Sequence, residues 1–271
     1  MRVALLGGGT IGRLILERAR RGDLPGIEIV VLAGRSATSP AAALAGEFGV
    51  RYVTGGEQLL ALRPDTVVEA ASHAAVKQHL VAFLEAGINV VVLSAGALVD
   101  EALCRSAEDA ARRSGALFYV PSGGIGGLDA LKGAMMAGVD SVEIVSSKQP
   151  AAWKGIDYVE KLGIDLDGLT APFVLYEGPA RAGVIHFPQN VNIAAVLSMA
   201  GIGFDRTRLK AVAVPGLARN THVISVRGAS GDISIKLENV PAPDNPKTAW
   251  LACYSALAAL KQARETVRFG T

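Results

Sequence analysis

The strongest constraint on the fold is a glycine-rich segment near the amino terminus, Gly7-Gly8-Gly9-Thr10-Ile11-Gly12. It matches the pattern G-x-G-x-x-G, follows a strand-like apolar run at Val3–Leu6, and opens a stretch with helical spacing. In such a unit the glycines permit a tight turn, close approach of a pyrophosphate and close packing of the helix. The amino end of the helix then offers N–H groups to phosphate. We therefore predict that a dinucleotide is bound at Gly7, Gly9, Thr10, Ile11 and Gly12.

The first 120 or so residues alternate between short apolar runs and helix-like segments. The runs at 27–32, 66–70 and 89–93 are rich in Val, Ile and Leu. Strands that are apolar on both faces and alternate with helices are typical of a parallel sheet covered on both sides. The predicted fold class is therefore α/β, with a doubly wound parallel sheet of the Rossmann type. The helices predicted in this half span 10–20, 73–86 and 98–114.

The pattern changes after residue 123, where strand signals outnumber helix signals. Thr221–Arg227 alternates polar and apolar residues, which suits an antiparallel or mixed sheet with one less buried face. Gly183–Phe187, which contains His186, also predicts a strand. After a proline-rich segment, a last helix over 248–267 is expected to return to the first domain. The expected layout is a dinucleotide-binding Rossmann domain at 1–123 and 245–271, and an inserted α+β substrate-binding and dimerisation domain at 124–244.

Composition excludes several classes of protein. Lys and Arg number 27 against 25 Asp and Glu, and no basic run exceeds two residues, so a nucleic-acid groove is not expected. No apolar run is long enough to span a membrane, and the run before Gly7 is too short for a signal peptide. Two cysteines, Cys104 and Cys253, without a Cys/His cluster predict neither a disulfide framework nor a metal site. We expect a cytoplasmic protein.

The segment after the second strand bears on the choice of cofactor. An acidic residue there would bind the ribose 2′-OH and repel a 2′-phosphate. The segment Leu32-Ala33-Gly34-Arg35-Ser36 contains no acid. Arg35 could bind a 2′-phosphate, or it could be a solvated loop residue. The expected cofactor is therefore NAD or NADP.

Among the four histidines, His222 is the strongest candidate for a catalytic base. It begins an alternating strand and shares a face with Ile224 and Val226, which predicts that it points inward. His73 follows a strand end and could line the cofactor site, although a helix start explains it equally well. The glycines at 123–127 could present N–H groups to the nicotinamide or to a substrate carboxylate, and could also form an interdomain joint.

Four further motifs follow one another along the second half of the chain. They are Pro121-Ser122-Gly123-Gly124-Ile125-Gly126-Gly127-Leu128-Asp129-Ala130, Phe187-Pro188-Gln189-Asn190-Val191-Asn192-Ile193-Ala194-Ala195, Arg219-Asn220-Thr221-His222 and Asn245-Pro246-Lys247-Thr248. Together they resemble the L-aspartate dehydrogenase family. With the amino-terminal fingerprint, the likeness covers essentially the whole chain.

The resemblance implies a homodimer of two-domain chains that oxidise L-aspartate with NAD(P) to iminoaspartate. This product hydrolyses to oxaloacetate and ammonia, and it can feed NAD biosynthesis. The resemblance also implies that His222 is the catalytic histidine and that Gly124, Asn190 and Asn192 contact the cofactor. One departure is Val214, where an acid is expected in relatives. A second is Gly124, where relatives often have alanine.

The two carboxylates of L-aspartate need cationic or N–H partners. Lys148, Arg219 and Asn220 are the predicted substrate contacts, and the alternative for the two cations is a solvated or structural charge. Two other functions remain open at this point. One is an oxidoreductase like dihydrodipicolinate reductase or homoserine dehydrogenase, and the other is a non-catalytic dinucleotide-sensing dimer.

Overall fold

The computed structural model describes residues 1–188, 190–243 and 245–267. The chain forms two compact units. The first unit comprises Met1–Pro121 and Cys253–Thr266, and the second comprises Ser122–Ala252. The chain thus returns to the first unit at Cys253, later than the sequence suggested.

The first unit contains a six-stranded parallel sheet with the order β3-β2-β1-β4-β5-β6. This confirms the predicted fold class, because the strands alternate with helices as in a Rossmann-type domain. Its strands are β1 (Arg2–Leu6), β2 (Glu28–Gly34), β3 (Arg51–Thr54), β4 (Thr66–Glu69), β5 (Asn89–Val92) and β6 (Phe118–Tyr119). Its helices are α1 (Thr10–Arg20), α2 (Pro40–Phe48), α3 (Gly55–Leu62), α4 (His73–Glu85) and α5 (Glu101–Ser114).

The structure differs from the sequence prediction at one helix of this unit. The helix expected over 98–114 is divided into a 3₁₀ turn, Ala95–Val99, and α5. The division occurs because the Asp100 side chain accepts hydrogen bonds from the backbone N–H groups of Ala102 and Leu103. An aspartate in this role satisfies the first N–H groups of a helix and so fixes its start.

The last helix, α10 (Trp250–Gln262), joins the core of the first unit. All four of Trp250, Leu251, Leu257 and Leu260 are expected from their apolar character to be buried; Leu257 and Leu260 are buried there, whereas Trp250 and Leu251 are exposed. The helix begins at Trp250 because the backbone of Asn245–Ala249 forms a strand, β13, paired with β12 (Pro241–Ala242). The predicted start at Thr248 was therefore wrong by two residues.

The second unit contains a five-stranded mixed sheet with the order β11-β10-β7-β9-β8. Strands β7 and β9 are parallel, and the other neighbouring pairs are antiparallel. The strands are β7 (Val139–Lys148), β8 (Phe173–Pro179), β9 (Arg208–Ala213), β10 (Asn220–Gly228) and β11 (Gly231–Asn239). The helices are α6 (Leu128–Ala137), α7 (Asp157–Glu160), α8 (Ala180–His186) and α9 (Asn192–Ala200).

The predicted alternation of burial is clear in β10. Asn220, His222, Ile224 and Val226 are buried, whereas the intervening residues are more exposed. One face of the sheet is therefore covered, and this face includes His222.

The strand predicted at Gly183–Phe187 was wrong. Residues 180–186 form helix α8, and the His186 ring stacks on Tyr158 with ring centroids 4.2 Å apart. A short apolar run cannot distinguish a strand from a buried helix by periodicity alone, which explains the error.

Candidate active site

The glycine-rich turn of the first unit has the geometry that a dinucleotide requires. Gly7 has a φ of +113°, and a Cβ there would overlap the carbonyl oxygen of Ala70. A Cβ at Gly12 would lie 2.5 Å from the Gly7 oxygen, so α1 packs directly on the turn. By contrast, a Cβ at Gly9 would meet no described atom within 4 Å. The turn therefore leaves open space at Gly9, next to the amino end of α1, where an anion is favoured.

The loop after β2 lies at the carboxyl edge of the same sheet. Arg35 is exposed there, and the next residues are tied down by hydrogen bonds. The Tyr52 hydroxyl donates to the Ser36 carbonyl oxygen at 2.5 Å and lies 2.8 Å from the Ser39 Oγ. The loop is thus held by hydrogen bonds, and it carries the cation Arg35 and no carboxylate at 32–36. The contact of Arg35 with a 2′-phosphate stays a prediction.

Replacing Arg35 with aspartate should lower kcat/KM for NADP more than kcat/KM for NAD, because a carboxylate repels the 2′-phosphate and accepts from the 2′-OH. The measurement is the ratio of the two kcat/KM values in wild type and variant. Arg51→Asp is the matched control, since Arg51 is exposed at the amino end of β3. An equal ratio in all three proteins would mean that Arg35 does not face the 2′-position.

A buried polar cluster lies on the covered face of the sheet in the second unit. His222 on β10 pairs in register with Ser146 on β7, and Lys148 lies two residues further along β7 on the same face. Asn220 lies two residues before His222. All four side chains are buried. Because buried polar groups are normally hydrogen-bonded, the partners of this cluster indicate what the site can do.

Neighbouring residues of the second unit fix the position of the Lys148 side chain. Its Nζ donates to the backbone oxygen of Asn190 at 3.0 Å and lies 5.5 Å from the centroid of the Trp153 ring. The Asn190 side chain in turn donates to the Ala152 carbonyl oxygen at 2.9 Å. Burial lowers the pKa of Lys148 to about 8. The side chain is therefore charged at neutral pH, and its remaining N–H groups can donate to an anion.

Three groups of the cluster lack a hydrogen-bond partner among the described residues. They are Nδ1 of His222, Oγ of Ser146 and Nδ2 of Asn220. Burial, and secondarily the positive charge of Lys148, lowers the pKa of His222 to about 3. The imidazole is therefore neutral at pH 7. An arrangement of unpaired acceptors and donors beside a buried cation is suited to a polar, anionic ligand.

Three other predicted site residues are not members of the buried cluster. Arg219 is exposed in the loop before β10. Asn192 is half-buried at the start of α9. The carbonyl oxygen of Gly124 accepts from the Asn239 side chain at 2.7 Å. Their contacts with substrate or cofactor stay predictions.

Sequence reasoning missed Ser146 and Trp153. Ser146 pairs with His222 on the neighbouring strand, and Trp153 is fully buried beside Lys148. The sequence of β7 does contain a signal, because Ser146 and Lys148 continue the period-two face begun by Val142 and Ile144. Two polar residues on an otherwise apolar face point to a site.

A cavity of about 510 Å³ lies in the second unit, a volume within the range of small-molecule pockets. Asn190, Tyr158 and His186 contribute to its lining. Within the described part of the chain, His, Cys, Asp and Glu side chains nowhere group as metal ligands would. Nor does any helix of residues 1–188, 190–243 and 245–267 have the length and apolar character needed to cross a membrane.

Comparison with known proteins relates each unit to a family. A model described as the C-terminal domain of aspartate dehydrogenase matches residues 129–263. A model described as the NAD-binding domain of homoserine dehydrogenase matches residues 7–121.

Individual relatives match from three quarters of the chain to all of it. An L-aspartate dehydrogenase from Methanocella arvoryzae is 38% identical over 273 residues, which cover 100% of this chain and 99% of that protein. Another from Methanosarcina acetivorans is 45% identical over 207 residues, 76% of each protein. The crystal structure of aspartate dehydrogenase from Thermotoga maritima matches with a TM-score of 0.75 and 27% identity, covering 100% of this chain and 99% of that one.

Proposed function

The chain belongs to the L-aspartate dehydrogenase family, and we propose that it oxidises L-aspartate to iminoaspartate with NAD or NADP. Hydrolysis of iminoaspartate then yields oxaloacetate and ammonia. The observation that supports this most strongly is the buried cluster around His222 and Lys148. It combines a neutral base, a cation and unpaired polar groups, which a dicarboxylic amino acid can match.

The first unit supplies the cofactor site in this proposal. The open space at Gly9 and the amino end of α1 fit a pyrophosphate, and the absence of an acid at 32–36 fits either cofactor. Residues of the glycine-rich turn would hold the dinucleotide, which would supply the hydride acceptor for the oxidation at the α-carbon. The turn itself orients the dinucleotide and takes no part in proton transfer.

His222 is the proposed base. A bound dicarboxylate brings negative charge beside the imidazole and raises the pKa of His222 from about 3 toward the range in which it can accept a proton. It removes a proton from the substrate ammonium group, so that a neutral amine can become an iminium ion. The same imidazole, once it has released this proton, activates the water that hydrolyses the iminium ion.

Lys148 is the proposed partner of a substrate carboxylate. Its ammonium group is buried and charged at neutral pH, and one of its N–H groups donates to the Asn190 backbone oxygen. A charged hydrogen bond in a buried site is stronger than one at the surface. Asn220 and Ser146 have unpaired groups on the same face and are proposed to bind the remaining carboxylate oxygens or a water molecule.

Binding of succinate, a dicarboxylate without an amine, should depend on the protonation of Lys148. Lys148 is charged below its pKa of about 8 and neutral above it. The inhibition constant of succinate should therefore rise about tenfold per pH unit above pH 8, where Lys148 loses its charge. Competitive inhibition against L-aspartate measures this constant.

The control variants separate Lys148 from general charge effects. Lys148→Met should bind succinate weakly with no pH dependence near 8. Lys154→Met should behave as wild type, since Lys154 is exposed and pairs with Asp167 at 2.6 Å. A wild-type inhibition constant that stays flat for about two pH units above 8 would contradict the role of Lys148.

The proposed reaction is tested by its products. Incubation with L-aspartate and either oxidised cofactor should yield one ammonia and one oxaloacetate for each cofactor reduced. A protein that binds NADH tightly but reduces no cofactor would instead be the dinucleotide-sensing dimer. Cofactor reduction with L-homoserine but not with L-aspartate would identify a homoserine dehydrogenase activity.

We also propose that two copies of the chain associate, as the family resemblance implies. Strand β8 exposes Phe173 and Val174, which favours association of the second unit. Sedimentation at a monomer mass would contradict this. Supply of iminoaspartate to NAD biosynthesis and a cytoplasmic location stay predictions from the sequence.

A further inference from the structure

We propose that Glu69 is a positioning residue of the dinucleotide site, which holds the loop after β4 against the glycine-rich turn. This inference rests on the proposed function, because it concerns the same cofactor site. It also assigns a role to a buried carboxylate that the proposed chemistry does not use.

The Glu69 carboxylate ties two loops together. One oxygen accepts from the backbone N–H groups of Ala71 and Ser72 at 2.8 and 2.9 Å, and from the Ser94 hydroxyl at 2.9 Å. The other oxygen accepts from the backbone N–H of Ser94 at 3.0 Å. Acceptance by both oxygens is the pattern of an ionised carboxylate. The loop after β4 is thereby fixed to the end of β5.

These loops lie at the functional edge of the sheet. Strands β1 and β4 are neighbours, and the order of strands reverses between them. In open α/β sheets, ligands bind at the carboxyl ends of the strands at this reversal. The backbone of Ala70 is so close to Gly7 that even a methyl group at Gly7 would overlap its carbonyl oxygen. The loop held by Glu69 therefore forms one wall of the glycine-rich turn.

A carboxylate at this position is costly. Glu69 is only 2% exposed, and burial raises the pKa of its carboxyl group although four hydrogen bonds oppose the shift. Apolar residues usually stabilise a buried strand end at lower cost than a charge. An acceptor for four donors is needed only where the backbone of two loops must be held in one position. We infer that the position being held is that of the turn wall.

Glutamine offers a nearly isosteric test. Its oxygen can keep the N–H groups of Ala71 and Ser72, but its amide group then faces the N–H of Ser94, donor against donor. The link between the two loops is then reduced to the bond from the Ser94 hydroxyl, while the volume stays the same. Glu69→Gln should therefore raise the dissociation constant of NADH by about five- to tenfold, the size of effect that the loss of one ordinary hydrogen bond can have.

The experiment compares Glu69→Gln with Asp65→Asn. Asp65 lies at the opposite end of β4, is exposed, and accepts from the backbone N–H of Arg2 at 2.6 Å. NADH binding is followed by fluorescence and folding by thermal unfolding. Glu69→Gln should raise the NADH dissociation constant and the KM for NAD, and should leave the KM for L-aspartate at saturating NAD within about twofold. Asp65→Asn should leave all three constants unchanged.

The possible outcomes separate this inference from the proposed function. Unchanged NADH affinity in Glu69→Gln, with a lowered melting temperature, would make Glu69 purely structural and overturn the inference. A wild-type protein that binds no NADH would overturn the proposed function as well. If Glu69→Gln does not fold, Ser94→Ala removes only the hydroxyl donor, and it should raise the NADH dissociation constant about two- to threefold. Wild-type affinity in that variant would also overturn the inference.

Discussion

Replacement of His222 by alanine is expected to lower kcat for L-aspartate by about 10²–10⁴, the usual contribution of a positioned general base. His222 is buried on the covered face of the second unit's sheet, and its Nδ1 has no partner among the described residues. The glycine-rich turn belongs to the first unit and does not depend on this side chain. NADH affinity should therefore stay within about twofold of wild type, because the variant removes a catalytic group and leaves the fold.

His79→Ala is the matched control for the loss of a buried imidazole. His79 is 7% exposed and lies in α4 of the first unit, with its Nδ1 3.6 Å from Glu57. This variant should lose stability and keep its turnover number. If His222→Ala retains more than about a third of wild-type kcat where chemistry limits turnover, a general base role fails. If NADH binding collapses together with turnover, His222 is structural.

Replacement of Gly9 by valine is expected to abolish most of the affinity for dinucleotide without destabilising the fold. A Cβ at Gly9 would meet no described atom within 4 Å, so we expect the protein alone to accommodate a small side chain there. A pyrophosphate that approaches the backbone here would collide with the valine side chain. Overpacking costs about 1–3 kcal/mol, which corresponds to roughly a 5- to 150-fold rise in the dissociation constant. NADH fluorescence titration and thermal unfolding measure the two effects.

Gly7→Ala provides the contrast. Its methyl group would overlap the Ala70 carbonyl oxygen, and the φ of +113° is unfavourable for alanine, so the fold itself should lose stability. We therefore expect Gly9→Val to affect binding alone and Gly7→Ala to affect folding as well. Normal NADH affinity in a folded Gly9→Val variant would mean that the pyrophosphate does not approach this turn.

The sequence was sufficient to predict most of the Rossmann-type sheet, because strands such as β1 and β5 are largely apolar and need no tertiary information to identify. It did not predict β3, which begins with an arginine. It was insufficient for α2 and α3. Helix α2, Pro40–Phe48, is rich in alanine and has little polar contrast around its circumference, and α3 begins with two glycines. Packing against the sheet decides both helices, and local periodicity does not reveal it.

The candidate site was predictable only in part for a similar reason. The inward direction of His222 follows from the alternation of β10, which is a local pattern. The bond between Lys148 and the Asn190 backbone oxygen joins positions 42 residues apart, and no local pattern encodes it. The same is true of Ser146, whose significance comes from its register with His222. Side-chain partners across strands depend on tertiary structure, whereas face and periodicity do not.

Substrate discrimination tests the proposed reaction, since the proposed site matches two carboxylates and an amine at once. The measurement is kcat/KM, with the preferred oxidised cofactor at saturation, for L-aspartate, L-alanine, L-malate and L-homoserine. A site that hydrogen-bonds a polar group rejects analogues lacking it by about 10⁴-fold or more. We expect kcat/KM for L-aspartate to exceed that for each of the other three by a factor of this order. Comparable values for L-aspartate and any of the others, or no cofactor reduction with L-aspartate, would contradict it.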